Sequence, residues 1–333
     1  MRLGIMSFAH LHAEGYLGNL GRVPGVEVIG FSDTDQARGR HFSEVFGVRW
    51  FQRHEDLLAE GLDGAIVCSE NARRRELVAM AAAAGAHVLC EKPIEVTLEA
   101  AEAMGEVCRR HGVHFMTAFP MRFDPSVRIV KALLARGELG ELYGVNGVNH
   151  SETPRHQRAW FAQKDLAGGG AVMDHTVHLV DLLRWYLNCE VAEVYAEVGN
   201  PFCPGEVDVD TAGLVTLTFE NGVFASIDCS WSRPTSYPRW GHLKMELVGE
   251  RGAVSLDALA QAITAYSGRL PRNPTWLNWG SDANQAMLEE FVASIREGCE
   301  PAVTWRDGYE ALRVALACYE SAEREQPVVL RRA

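Results

Sequence analysis

The sequence predicts an α/β protein in two parts: a doubly wound parallel sheet over residues 1–120, then an α+β domain over 121–333 with a large, mainly antiparallel open sheet. Three observations predict it. The first third of the chain alternates short apolar runs with amphipathic stretches. The rhythm changes near residues 119–125. The second half carries two hairpin signals, Asn221-Gly222 and Gly249–Gly252, between strand-like runs.

Arg2–Ser7, Val26–Ser32, Gly64–Ser69, Ala86–Cys90 and Val113–Ala118 are near-continuously apolar, as expected of parallel strands buried on both faces. Arg73–Ala84 and Leu98–His111 have helical periodicity, which completes a β-α repeat. Such sheets bind ligands beyond the carboxyl ends of their strands, where the strand order reverses. Further on, Ala212–Glu220 pairs with Val223–Trp231, and His242–Val248 with Ala253–Asp257. Ala171–Leu187, Gln285–Gly298 and Arg306–Glu323 read as helices around that second sheet.

The chain's 333 residues exceed what one compact core usually holds. A formal net charge of −12 argues against nucleic acid or an anionic membrane as partner. The brief basic cluster Arg73–Arg75 reads as a solvated helix face. No apolar run reaches the ~18 residues that span a bilayer. The opening residues read as a buried strand, not a signal peptide. Eight scattered cysteines without a CxxC pair read as reduced thiols of a cytoplasmic protein.

A dinucleotide fingerprint is GxGxxG between first strand and first helix, because glycines let the backbone approach a diphosphate. Here those positions are Ser7, Ala9 and His12, and none is glycine. Ser7 and Ala9 are small, so close approach remains open. Asp33, at the end of the second strand, is placed to accept hydrogen bonds from the adenosine ribose. The alternative is that it caps the following helix. Asp35 beside it favours NAD over NADP, whereas Arg38 and Arg40 leave room for a 2′-phosphate. His10 and His12 in this loop are candidates for cofactor or substrate contact, against a plainer role in packing.

Ala86–Pro93, ending Glu91-Lys92-Pro93, resembles the strand end of the Gfo/Idh/MocA oxidoreductases. Asp63–Asn71 is similar to that family's "DAVxIATPN", with Ser69-Glu70-Asn71 for Thr-Pro-Asn and Arg74 for its usual histidine. Met121–Pro125 resembles "RRFDP". Gly168–Trp185 resembles "GGGxxxDxGxHxxDxxxW", with Thr176 in place of a glycine. The resemblance runs over essentially the whole chain.

It implies hydride transfer between nicotinamide and a carbinol carbon of a sugar, cyclitol or sugar derivative, with Lys92, Asp174 and His178 as the catalytic set. Asp174 and His178 lie four apart on a predicted helix and share a face, so the carboxylate can orient the imidazole as general base. Lys92 then stabilises the developing alkoxide, unless it is itself the base. The resemblance further implies cofactor contacts from Ser7, Phe8, Ala9, His10, Leu11, Asp33, Ser69, Glu70, Asn71, Arg74, Glu91, Lys92 and Arg122. It implies substrate contacts from Lys92, Trp160, Asp174, His175 and His178. Trp160-Phe161 and Arg122 are expected to border the nicotinamide, and Glu91 to position its loop. Trp231, Arg233, Trp240 and His242 either shape the substrate end or pack. His150 with Asp174-His175 and His178 has spacing a metal could use, but the redox family needs none, and none is expected.

Two other readings compete with the NAD-dependent dehydrogenase. One is a glycosidase that retains NAD and cleaves by transient oxidation and elimination. The other is a non-catalytic nucleotide-sensing protein. The resemblance also implies a homodimer or homotetramer built on the exposed face of the second sheet.

Overall fold

The computed structural model of the chain describes residues 1–269 and 272–331. Its first part is β1 (Arg2–Met6), α1 (His12–Leu20), β2 (Glu27–Ser32), α2 (Gln36–Phe46), β3 (Trp50–Phe51), α3 (His54–Leu58), β4 (Gly64–Val67), α4 (Arg74–Ala83), β5 (His87–Cys90), α5 (Leu98–His111) and β6 (Phe115–Thr117). The six strands form one parallel sheet in the order β3-β2-β1-β4-β5-β6. All four residues of β4 are buried, which is why these runs lack polar alternation. The expected strands are all present. The two-residue β3 carries too short a pattern to register in sequence.

The order reverses between β1 and β4: the chain leaves β1 towards one edge and returns at β4 to build the other. The loops after these two strands therefore open the crevice in which such sheets hold ligands. The expected loop after β1, and Ser69–Asn71 after β4, sit at that point.

The second part runs α6 (Pro125–Ala135), β7 (Leu142–Ser151), α7 (Lys164–Ala167), α8 (Ala171–Leu187), β8 (Val191–Gly199), β9 (Ala212–Phe219), β10 (Phe224–Ser230), β11 (Gly241–Gly249), β12 (Gly252–Asp257), β13 (Ala262–Ala265), β14 (Thr275–Asn278), α9 (Ala283–Glu297), α10 (Trp305–Arg324) and β15 (Val328–Val329). Seven strands make a sheet in the order β12-β11-β7-β10-β9-β8-β15. Its neighbours are antiparallel except β7 with β10, which run parallel.

Burial alternates along β9, so one face of this sheet packs on α8 and α10 and the other is open. Tyr143, Leu214, Phe224 and Val248 stand exposed. Asp124 caps α6 with Pro125 in the first turn, a stop-and-start signal that begins the helix right after the parallel sheet ends. None of the eight cysteines is in a disulfide. Among the described residues no helix is long and apolar enough to cross a membrane.

Candidate active site

The loop after β1 turns without glycine because Ser7 itself adopts a left-handed conformation, φ 72°. Phe8 then drops into the core against Phe31 and Phe42, with ring centroids 4.3 and 5.0 Å away. Four of the loop amides donate within the protein. Phe8 N–H donates to Asp33 Oδ2 (2.8 Å), Ala9 N–H to Ser7 Oγ (3.1 Å) and His12 N–H to His10 Nδ1 (3.2 Å). His10 N–H donates to the Cys68 carbonyl (2.8 Å), which ties the β1 loop to the β4 loop.

Asp33 is fully buried. Besides Phe8 it accepts from Asp35 N–H (2.9 Å) and from Arg38 Nε and a terminal nitrogen (2.8 and 2.9 Å). The carboxylate expected to accept hydrogen bonds from the adenosine ribose is thus also held by Arg38 in a two-pronged ion pair. Capping of α2 falls to Asp35, whose side chain accepts from Ala37 and Arg38 N–H.

After β4, Ser69, Glu70 and Asn71 are buried. Asn71 Nδ2 donates to the Ala167 carbonyl (2.8 Å), and its Oδ1 is buried without a partner. Arg74 is not part of a solvated basic face. It is fully enclosed and donates to the carbonyls of Pro93 and Ser69, which holds the Glu91–Pro93 turn against the β4 loop.

At the end of β5, Glu91 is buried and accepts from Tyr16 O–H, from Lys92 N–H (3.0 Å) and from His12 Nδ1 (2.9 Å). Burial opposes its charge, but His10 and His12 beside it hold the carboxyl well below its ordinary value. Lys92 extends the other way. Its Nζ lies 2.6 Å from Asp174 Oδ1 and 3.3 Å from the Asp174 carbonyl oxygen.

Asp174 comes from the first turn of α8, whose start is fixed by a foreign cap. Asp210 accepts Gly170 N–H (2.7 Å) and Val172 N–H (2.8 Å), and Tyr319 O–H donates to the same carboxylate (2.7 Å). A Cβ on Gly169 would stand 2.0 Å from the Tyr319 hydroxyl, and one on Gly170 1.7 Å from the Asp210 carbonyl oxygen. Close approach is therefore what the glycine run is for.

Asp174 Oδ2 faces Trp231 Nε1 and His175 Nε2, both at 3.3 Å. Ser151 Oγ lies 3.1 Å from the same His175 nitrogen. Burial opposes the Asp174 charge, yet Lys92 and His175 hold its carboxyl well below the usual range. Asp174 does not orient His178. The helical spacing puts both on one face, but Lys92, Trp231 and His175 take the carboxylate. His178 Nδ1 is buried without a partner, and the ring meets Phe119 edge-on at 5.9 Å. Burial and then the Lys92 charge hold the imidazole well below its ordinary value.

These groups share one cavity of about 310 Å³, lined by His10, Leu11, His12, Lys92, Asp174, His175 and His178 together with Asn149, His150, Phe161, Trp240 and His242. Of the expected contacts, Ser7, Ala9, Asp33, Ser69, Glu70, Asn71, Arg74 and Glu91 lie outside its lining, and so do three more whose places are filled otherwise. Trp160 stacks on Phe161 at 3.9 Å and donates Nε1–H to the Ala9 carbonyl (2.9 Å), so it buttresses the β1 loop from behind. Arg122 is captured by Asp181 on α8 (2.6 Å) and Asp307 on α10 (2.8 Å). Phe8 is core.

Behind the substrate end, Arg233 donates to Nδ1 of His150 (3.0 Å) and of His242 (3.3 Å). The Nε2 atoms of these rings lie 3.0 Å from Asp228 and 3.4 Å from Asp257. Asn149, which sequence reasoning missed, carried one signal: a polar residue on a buried position of a strand.

Two buried polar atoms without partners, His10 Nε2 and Asn71 Oδ1, lie in the two loops at the point of strand reversal. A ligand offering both acceptors and donors there, as a dinucleotide does, fits these residues. A switch-point crevice leading into a lysine, carboxylate and imidazole cavity defines a nicotinamide-dependent oxidoreductase. Residues 4–119 match the oxidoreductase family with an NAD-binding Rossmann fold, and residues 127–255 the Gfo/Idh/MocA C-terminal domain. The chain belongs to the Gfo/Idh/MocA family.

Over 344 residues it is 27% identical to myo-inositol 2-dehydrogenase of Thermotoga maritima, covering 99% of this chain and 98% of that protein. It is 28% identical over 343 residues to D-apiose dehydrogenase of Paraburkholderia graminis, covering 98% and 88%. The crystal structure of myo-inositol 2-dehydrogenase from Lactobacillus plantarum superimposes with TM-score 0.86 over 99% of each chain at 21% identity, which shows the common fold. The protein is thus an enzyme, an oxidoreductase whose cofactor is NAD.

Proposed function

We propose that the enzyme oxidises a secondary alcohol of a cyclitol, sugar or sugar derivative, with Lys92, Asp174 and His178 at the reacting carbon. The observation that carries this reading is the Lys92 Nζ to Asp174 Oδ1 contact of 2.6 Å, made in the same cavity as His178. The names of two relatives, a myo-inositol and a D-apiose dehydrogenase, point to the same substrate class.

NAD, when bound, would supply the acceptor for a hydride from the carbinol carbon. His10, Leu11, Ser69, Glu70, Asn71 and Glu91 form the crevice that would hold it. Asp174 holds Lys92 in place through the 2.6 Å contact, so the ammonium can donate to the reacting oxygen and stabilise it as the proton leaves. His178 is neutral at neutral pH, and with Nδ1 shut in, Nε2 is the nitrogen that receives that proton. Asn149 and His175 line the cavity where further hydroxyls would bind.

Residues 1–120 and 121–333 serve in this reading as cofactor and substrate domains. The exposed Tyr143, Leu214, Phe224 and Val248 on the open sheet face suit a homodimer or homotetramer. A cytoplasmic setting agrees with the unpaired cysteines. The test is NADH formation with a panel of cyclitols, aldoses and sugar acids. Turnover that disappears in Lys92→Met supports the reading. NAD binding without NADH from any polyol would overturn the substrate class, and glycoside cleavage without NADH would favour the elimination chemistry instead.

A further inference from the structure

The space for a substrate does not end at the reacting groups. A second cavity of about 490 Å³ adjoins the first, and Met121, Leu259 and Asn284 line both. No residue of the loops after β1 and β4 lines the second cavity, so it is not part of the cofactor crevice. It lies between the turn after β12, the end of β14 and the start of α9.

Its walls are tied to those of the first cavity. Trp276 on β14 donates its backbone N–H to the Pro238 carbonyl (2.9 Å), and its ring lies 4.9 Å from the Arg239 guanidinium carbon. Arg239 in turn donates to the Leu259 carbonyl. The next residue, Trp240, and His242 beyond it line the first cavity. One short segment thus fixes the β13–β14 hairpin on one side and the substrate end on the other.

The charges of the second cavity are already engaged. Arg22 pairs with Asp282 (3.1 Å), and Asp282 also caps α9 by accepting from Asn284 and Gln285 N–H. Asp124 is occupied as the cap of α6. An anion such as a phosphate would meet two carboxylates and one guanidinium that is paired already.

What the cavity offers instead is one indole and three amides. Trp279 is 55% exposed. Among the described residues the side-chain amides of Gln261, Asn278 and Asn284 have no hydrogen-bond partner. Gly280 has φ 92°, and a Cβ there would stand 2.7 Å from Gln261 Oε1, so glycine lets the chain turn between Trp279 and α9. Amides both donate and accept, and an indole joins an apolar face to a single N–H. A sugar ring is the complement, with hydroxyls on its rim and C–H groups on its faces. A purely apolar ligand would leave the amides unused.

We infer that the substrate has two linked rings: the one oxidised lies against Lys92 and His178, and an uncharged sugar residue joined to it fills the cavity lined by Trp279. This rests on the secondary-alcohol reading and adds the size and charge of the substrate. A ring bound away from the reacting carbon makes the same contacts in the ground and transition states, so it lowers KM and leaves kcat alone.

The experiment measures NADH formation by the full chain with matched compounds: D-glucose against cellobiose and maltose, and myo-inositol against galactosyl-myo-inositol. At least one two-ring compound should show a KM about tenfold below that of its one-ring parent, with a similar kcat. Trp279→Ala should erase that difference, and Asn278→Ala should reduce it. Both side chains are exposed, so neither change removes core packing.

The comparison on the unaltered protein needs no variant to fold. NADH from one-ring compounds with no lower KM for any two-ring partner would overturn the inference and leave the proposed function standing. A KM advantage that survives in Trp279→Ala would do the same. No NADH from any compound, one ring or two, would overturn both.

Discussion

Lys92 reaches from the end of β5 to Asp174 on α8, with Nζ 2.6 Å from the carboxylate and 3.3 Å from the same residue's carbonyl oxygen. One ion pair thus joins the parallel sheet to the helix that carries His178. Lys92→Met is expected to cut NADH formation by about 10²–10⁴ and to leave a nearly buried carboxylate without its cation. Adding Asp174→Asn should restore thermal stability and not turnover. Measuring both for the single and double variants separates the two roles, since a purely structural pair would recover activity with stability.

Burial lowers the His175 imidazole to about 4, against the pull of the Asp174 carboxylate. The unfolded chain protonates this histidine near its model value of 6.5, and the folded chain only near 4, so stability falls as pH drops between them. Asp181 works the other way. Burial raises it from 3.8 to about 6, so acidification over that window adds stability. The comparison that isolates His175 is the melting temperature against pH for the unaltered protein and for His175→Asn. The variant should lose less stability between pH 6.5 and 4; parallel curves would refute the assignment.

Arg122 is held by Asp181 and Asp307, and Arg184 reaches Asp307 (3.2 Å) and Glu190 (2.6 Å) from the same helix. Removing one partner of a buried pair strands the other charges. Arg122→Gln should cost about 3–5 kcal/mol in denaturant unfolding while leaving the NAD dissociation constant unchanged. A weakened Kd with unaltered stability would return Arg122 to the cofactor site.

Gly170→Ala places a methyl carbon 1.7 Å from a backbone oxygen, and backbone does not yield as a flexible side chain does. The start of α8 must shift, which moves Asp174 away from Lys92. Loss of about 1–3 kcal/mol or more is expected, together with loss of turnover. Gly15→Ala has open space and serves as the neutral comparison.

Much of this molecule was legible in its residues. The apolar runs of β1, β2, β4, β5 and β6 and the periodicity of α5 and α8 are local patterns, and burial on both faces of a parallel sheet leaves no other way to satisfy them. The Glu91-Lys92-Pro93 turn and the glycine run before Asp174 marked the two ends of the site, because close backbone approach and a buried cation restrict residue choice strongly. Which partner each polar group takes was not legible. Asp174 and His178 share a helix face, yet the carboxylate goes to Lys92, a residue 82 positions away. Arg38 closes over Asp33, Arg122 turns to α8 and α10, and His12 leans on Glu91, all by contacts between separate elements. Sequence determined which groups would be present and which strands and helices would carry them. Only the tertiary structure decided their pairing, since a charge buried on folding takes whichever opposite charge or donor the packing brings within reach.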